Sequence, residues 1–222
     1  ETNESIKDRL LMLQYILGGS EMKKNITERI LLTATSLFAE IGFANVTIKQ
    51  LAHAANINPA AISYYFGGKE TLYQEVLRYQ FSPAIQALQE VTNCRLSATE
   101  QLLAYAEAIT TVQHKQPFLT SFWKYRLNHH AAIPNCFIIN EYTVQLYQRI
   151  VSALSYGISQ NEFLPDLELY PTAFVLLEMM HGRSIPVWIL IEPGLSDSDT
   201  HKHTLQAVRH YLRGINRCVV TD

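Results

Sequence analysis

Residues 47–69, TIKQLAHAANINPAAISYYFGGK from Thr47 to Lys69, spell two short helices joined by a tight turn. Thr47 suits a helix cap, and Gln50, three residues on, is spaced to reach back to the same end as a capping box. Leu51, Ala52 and Ala55 give that helix a narrow apolar face, whose small side chains let a second helix cross closely. Asn56 takes the turn, because asparagine tolerates the left-handed backbone of a sharp helix exit, although glycine does so at lower cost. Asn58 is a good N-cap and Pro59 a good first helical residue, since the N–H that proline lacks would have no intrahelical partner there. The second helix runs from Pro59 to about Phe66 and is stopped by Gly67 and Gly68. Its small leading residues permit close approach to base edges in a major groove, and its closing tyrosines with the following lysine can reach phosphates. The stretch reads as a helix-turn-helix.

Working outward, Asn25 and Glu28 have capping-box spacing and open a helix to about Ile41, with Ile26, Ile30, Ala34, Leu37, Phe38 and Ile41 on its core face. Gly42 closes it, and Phe43 and Val46 pack beneath the reading head. Lys69 opens a fourth helix with Leu72, Val76 and Tyr79 on its inner side, running toward Pro83.

From about Ile26 to Tyr79 the chain resembles the TetR family of transcriptional regulators. That family's pattern is a threonine opening the second helix, an alanine pair and turn, an apolar-aromatic run ending in Tyr/His-Phe, and a lysine opening helix four. Thr47, Ala52, Ala55, Ile57, Ile62, Tyr65, Phe66, Lys69 and Leu72 occupy those places. Asn56 stands where the family usually has glycine, and Ser63 where a phosphate-contacting tyrosine is common, which leaves Tyr64 as its replacement. The resemblance implies an all-α protein with a three-helix DNA-binding domain over 23–70 and a helical-bundle domain for ligand binding and dimerisation over 71–222; residues 1–22 are an extension beyond the family pattern. It also makes the fourth helix a lever whose movement changes the separation of two reading heads. Thr47, Lys49, Asn58, Ala60, Ala61, Tyr64, Tyr65 and Lys69 are the expected DNA contacts. Thr47, Tyr65 and Lys69 are assigned to phosphates, and the Asn58–Ala61 end with Tyr64 to base edges.

The body reads as helices over Ala98 to about His114, Phe118 to His130, and Pro134 to about Ser159. A polar break at Asn161–Asp166 precedes two more, from Asp166/Glu168 to about Ile191, interrupted by Gly182 and Pro186, and from Ser198 to about Arg217. Helices with short loops imply a bundle. By resemblance the last two pair with their symmetry mates, offering Phe174, Leu177, Met180, Leu205, Val208, Tyr211 and Leu212 to a homodimer interface, although some must be core. The family's ligand pocket would draw on Phe118, Phe122, Trp123, Tyr125, Arg126, Tyr142, Tyr147, Phe174 and Trp188, suiting a small apolar or aromatic effector that releases a repressor from its palindromic operator. Taken singly, each of these aromatics is a more ordinary core residue than a ligand contact.

With 48% hydrophobic and 17% charged residues, 222 residues can bury a sizeable core in one or two domains. The net charge of −2 does not announce a nucleic-acid binder, but residues 23–80 carry a local +2 and residues 81–222 a local −2. An excess of two is small, so dimerisation, helix N-termini and tyrosines must supplement it. No stretch is long enough to span a membrane, Ile185 to Ile191 being the most apolar run near the C-terminus, and residues 1–22 lack the pattern of a secretory signal. The expected location is the cytoplasm. Cys94, Cys136 and Cys218 are far apart and odd in number, which favours reduced thiols.

Residues 1–22 place Ile6, Leu10, Leu13 and Leu17 on one helical face before Gly18-Gly19-Ser20. Three readings stand: an extension packing on the body or a dimer mate, a recruitment helix, and a vector-derived leader before Met22. An enzyme is not expected, because there is no phosphate-cradling glycine loop, nucleophile elbow or helical His-Glu-x-x-His. The pairs His129-His130 and His203/His210 lack the further ligands a metal needs, so neither metal nor cofactor is expected. The rival reading is an all-helical scaffold, which leaves the Thr47–Lys69 pattern unexplained.

Overall fold

The computed structural model describes residues 25–91, 96–128, 137–181 and 197–217, with side chains given outside 126–128 and 197–201. The described residues form nine α-helices: α1 (residues 25–41), α2 (Ile48–Ala54), α3 (Pro59–Phe66), α4 (Lys69–Val91), α5 (Ala98–Lys115), α6 (Leu119–Asn128), α7 (Phe137–Ser159), α8 (Leu169–Met180) and α9 (Asp197–Ile215). The expectations for residues 1–22, the three cysteines, His129, His130 and Trp188 lie outside the described residues.

The chain divides into two compact units, with the boundary at Val76/Leu77 inside α4. This lies beyond the expected division at 70/71 because the first two turns of α4 belong to the N-terminal core. Leu72, Tyr73 and Val76 are buried there, and the Tyr73 ring lies 5.0 Å from Phe38 and 4.9 Å from Phe43. Ile30, Ala34, Val46, Leu51, Ala52, Ala55 and Ile62 complete this core. Four sequence expectations are corrected here. Asn25 is already helical, so it is not the cap of α1. Ile41 and Tyr79, assigned to inner faces, are exposed. Pro83 does not end α4: the helix runs through it to Val91, although proline removes one ladder bond. Burial of Phe81, Ala84 and Leu88 on either side of Pro83 outweighs that loss.

In the second unit α5 packs on α7 and α9, α7 on α8, and α8 on α9. Ser97 caps α5 in a box with Glu100. The Glu162 carboxylate, arriving from the α7–α8 loop, accepts the Ala98 and Thr99 N–H groups, each at 2.8 Å. That loop is also tied to the end of α9: the Leu164 N–H donates to the Ile215 carbonyl at 3.0 Å, and the Arg217 N–H to the Glu162 carbonyl at 2.9 Å. Charge-assisted bonds at a helix N-terminus are the stronger kind, so Glu162→Ala is expected to lower unfolding free energy by about 2 kcal/mol. Urea midpoints would check this, and an unchanged midpoint would deny the cap any weight.

Candidate nucleic-acid interface and ligand groove

The helix-turn-helix forms by the local chemistry its sequence announces. The Thr47 hydroxyl accepts the Gln50 N–H while the Gln50 side-chain oxygen accepts the Thr47 N–H, closing a reciprocal cap on α2. Asn56 turns the chain at φ 50°, and the Asn58 side-chain oxygen accepts the Ala60 N–H at 2.9 Å, with Pro59 as the first residue of α3. Gly67 ends α3 in the left-handed region at φ 77°, which a β-carbon would strain.

This leaves α3 with one buried anchor, Ile62, and an outer face of Asn58, Pro59, Ala60, Ser63 and Tyr64. Tyr64 is 76% exposed and meets the Tyr65 ring edge-on at 4.9 Å, while Tyr65 and Ala61 are half-buried. Lys49 on α2 and Thr47 are exposed. The Asn58 oxygen already accepts one bond in the cap, which leaves its second lone pair and its amide N–H groups for a base edge. Lys69 is half-buried: its ammonium donates to the Val46 carbonyl at 2.6 Å and lies 4.3 Å from the centroid of the Phe43 ring.

In the second unit an open groove of about 900 Å³ lies between α7 and α8, with Trp123 of α6 also in its wall. Trp123, Tyr147 and Phe174 of the expected ligand residues line it, together with Tyr170 and Leu177. Phe122 and Tyr142 are instead buried away from it, Phe118 and Tyr125 are half-buried outside its lining, and the side chains of Arg126 and Trp188 lie outside the described residues. The expected dimer residues also divide. Met180, Val208 and Leu212 are fully buried within the single chain, where they fill its own core, and Leu177 is buried except where it lines the groove. Phe174 is 57% exposed, and Leu205 and Tyr211 are half-buried. Among the described residues no three His, Cys, Asp or Glu side chains gather to hold a metal, and no helix is long and apolar enough to cross a membrane.

Behind the groove Trp123 and Tyr142 meet His181, a residue that the sequence did not single out. The fully buried His181 stacks on Trp123 at 4.0 Å and 17°. A carbonyl can only accept, so His181 Nδ1 donates to the Leu177 carbonyl at 2.8 Å, and its Nε2 accepts from the Tyr142 hydroxyl at 2.8 Å. Burial pushes the imidazole pKa down to about 4, against the Leu177 bond, which favours the charged form; the Lys124 charge pushes it down further. The same desolvation pushes the Tyr142 hydroxyl far up. The available signal was a lone histidine closing the largely apolar stretch Phe174–Met180, which only Glu178 interrupts.

Residues 30–76 match the family model for bacterial regulatory proteins of the tetR family. Over 103 residues the chain is 31% identical to a probable HTH-type transcriptional regulator, YttP, of Bacillus subtilis (strain 168); the match takes in 46% of this chain and 50% of that one. Thus the chain spans about half the length of that curated relative. It is 26% identical over 140 residues to the HTH-type transcriptional repressor KstR2 of Mycobacterium tuberculosis (strain CDC 1551 / Oshkosh), covering 61% of this chain and 68% of that one. The solved structure of the ketosteroid transcriptional regulator KstR2 of Mycobacterium tuberculosis has the same fold, with a TM-score of 0.73 at 19% identity over 86% of this chain and 95% of that one.

Proposed function

We propose, from the match of residues 30–76 to the tetR family model, that the chain is a transcriptional repressor that binds a palindromic operator as a homodimer and is released by a small apolar or aromatic molecule. It is a regulator and not an enzyme, as its relatives are. The observation that carries the reading is the outer face of α3, where a capped N-terminus of small residues stands beside an exposed tyrosine. Asn58, Ala60, Ala61 and Tyr64 suit base edges in the major groove, and Thr47, Lys49 and Tyr65 suit the flanking phosphates. An eight-residue helix reads only a few base pairs, so a two-fold pair of heads on two half-sites supplies the specificity one head lacks. The exposed Tyr170, Phe174 and Val175 of α8 offer an apolar face for pairing. The groove that Tyr170 and Phe174 also line is of a size that suits small ligands, roughly 300–1,000 Å³. One relative is described as a ketosteroid regulator, so ring-bearing apolar molecules are the class to screen first.

The test is selection of bound duplexes from a randomised pool at physiological salt, followed by sequencing. A palindromic motif supports the reading, and it fails if the retained DNA shows no motif and binding vanishes with salt. On that motif Tyr64→Ala is expected to lose about 1–3 kcal/mol of discrimination at particular base pairs, measured against a panel of singly substituted sites. Equal weakening on every site would move Tyr64 to the backbone contacts.

A further inference from the structure

Lys69 opens α4, where the helix N-terminus already concentrates positive charge, so a cation there is disfavoured unless something else holds it. Two groups do. The ammonium donates to the Val46 carbonyl and sits over the Phe43 ring. Val46 is fully buried, and its carbonyl lies one residue before the Thr47 cap, ahead of the ladder that begins with Leu51 N–H donating to Thr47. A buried carbonyl without a donor is strongly disfavoured, and Lys69 supplies that donor from 23 residues away. Phe43 in turn packs on Tyr73, one helical turn beyond Lys69. The segment entering α2 is therefore held to α4 twice, by ring contact and by the ammonium.

We propose that Lys69 is a positioning residue that locks the entry of α2 onto the first turn of α4, whatever its remaining N–H donors meet; its consequence for DNA rests on the regulator reading above. Any displacement of the start of α4 is carried through Lys69 to Val46, and from there to the Thr47 cap beside the reading helix.

The experiment compares the full chain with Lys69→Met, which keeps the apolar stem over Phe43 but no donor, and Lys69→Gln, which keeps a donor without charge. Two quantities are read: hydrogen exchange of the amides of residues 46–51, and the salt dependence of affinity for the selected duplex. For a positioning residue, exchange rises about tenfold in Lys69→Met and much less in Lys69→Gln. Affinity follows the same order, about tenfold lower in Lys69→Met. Any loss of slope in log affinity against log salt, up to ~0.9 per head where the ammonium also meets a phosphate, falls on both variants alike and is separated from the clamp by that order. The proposal is overturned if exchange is unchanged in Lys69→Met, or if Lys69→Met and Lys69→Gln lose affinity alike. If the unaltered protein selects no duplex, the regulator reading fails by itself, and hydrogen exchange alone decides the clamp.

Discussion

Gly157→Ala is expected to melt about 4–8 °C below the parent chain, a net loss of about 2 kcal/mol at roughly 2–4 °C per kcal/mol for a chain of this size. Gly157 lies within α7, where alanine would ordinarily stabilise by about 1 kcal/mol. Here packing wins. A β-carbon at 157 would stand 2.3 Å from Phe163 Cδ2 and 2.8 Å from the Ala98 β-carbon. Phe163 has little room to yield, since it is buried and its neighbours Glu162 and Leu164 are both bonded to the end of α9. Forcing an extra methyl into such a place costs about 1–3 kcal/mol or somewhat more. Gly214→Ala is the control: its β-carbon would meet nothing within 4 Å, so the same exchange in α9 should raise the melting temperature by about 2 °C. If both variants shift alike, the clash is not what keeps residue 157 as glycine.

His181 should make stability depend on pH in a defined window. Its pKa is about 4 in the fold against 6.5 for a free imidazole, so as pH falls the unfolded chain takes up the proton first. The contribution is complete above pH ~6.5, declines as pH falls toward ~4, and changes no further below that. Two and a half pKa steps correspond to about 3 kcal/mol by the end of that window. His181→Gln removes the titrating group, so the stability difference between parent and variant should shrink by about that amount between pH 7.5 and pH 4. Parallel denaturation curves across the window would mean that the imidazole reaches solvent. Tyr142→Phe supplies the companion measurement. It leaves Nε2 buried without its donor at a cost of about 1–3 kcal/mol, and His181 is then easier to protonate only if water takes the hydroxyl's place.

The reading head was legible because its determinants are neighbours in the chain. Thr47 with Gln50, Asn58 with Ala60, and Gly67 after Phe66 act across two or three residues, which is the range a sequence pattern reports. Pro83 misled for the opposite reason, since its local veto on a helix was outweighed by burial from elsewhere in the fold. The aromatic residues of the body were found as a set but not sorted. Phe174 and Tyr147 line the groove and Tyr142 serves the buried His181, and residue type alone does not separate these roles.

The sequence by itself determined the helical class, the capped two-helix motif with its turn, and the exposed face of small residues and tyrosine that makes DNA the expected partner. Each follows from interactions within one helical turn or from a repeating apolar spacing. Only the tertiary structure decided the pairings that span the chain: Lys69 on Val46, 23 residues apart, Tyr142 on His181, 39 apart, and Glu162 on the start of α5, 64 apart. A carboxylate, a lysine or a histidine carries no mark of its distant partner in its local sequence. Which buried carbonyl or N–H lacks a mate is set by how the helices pack.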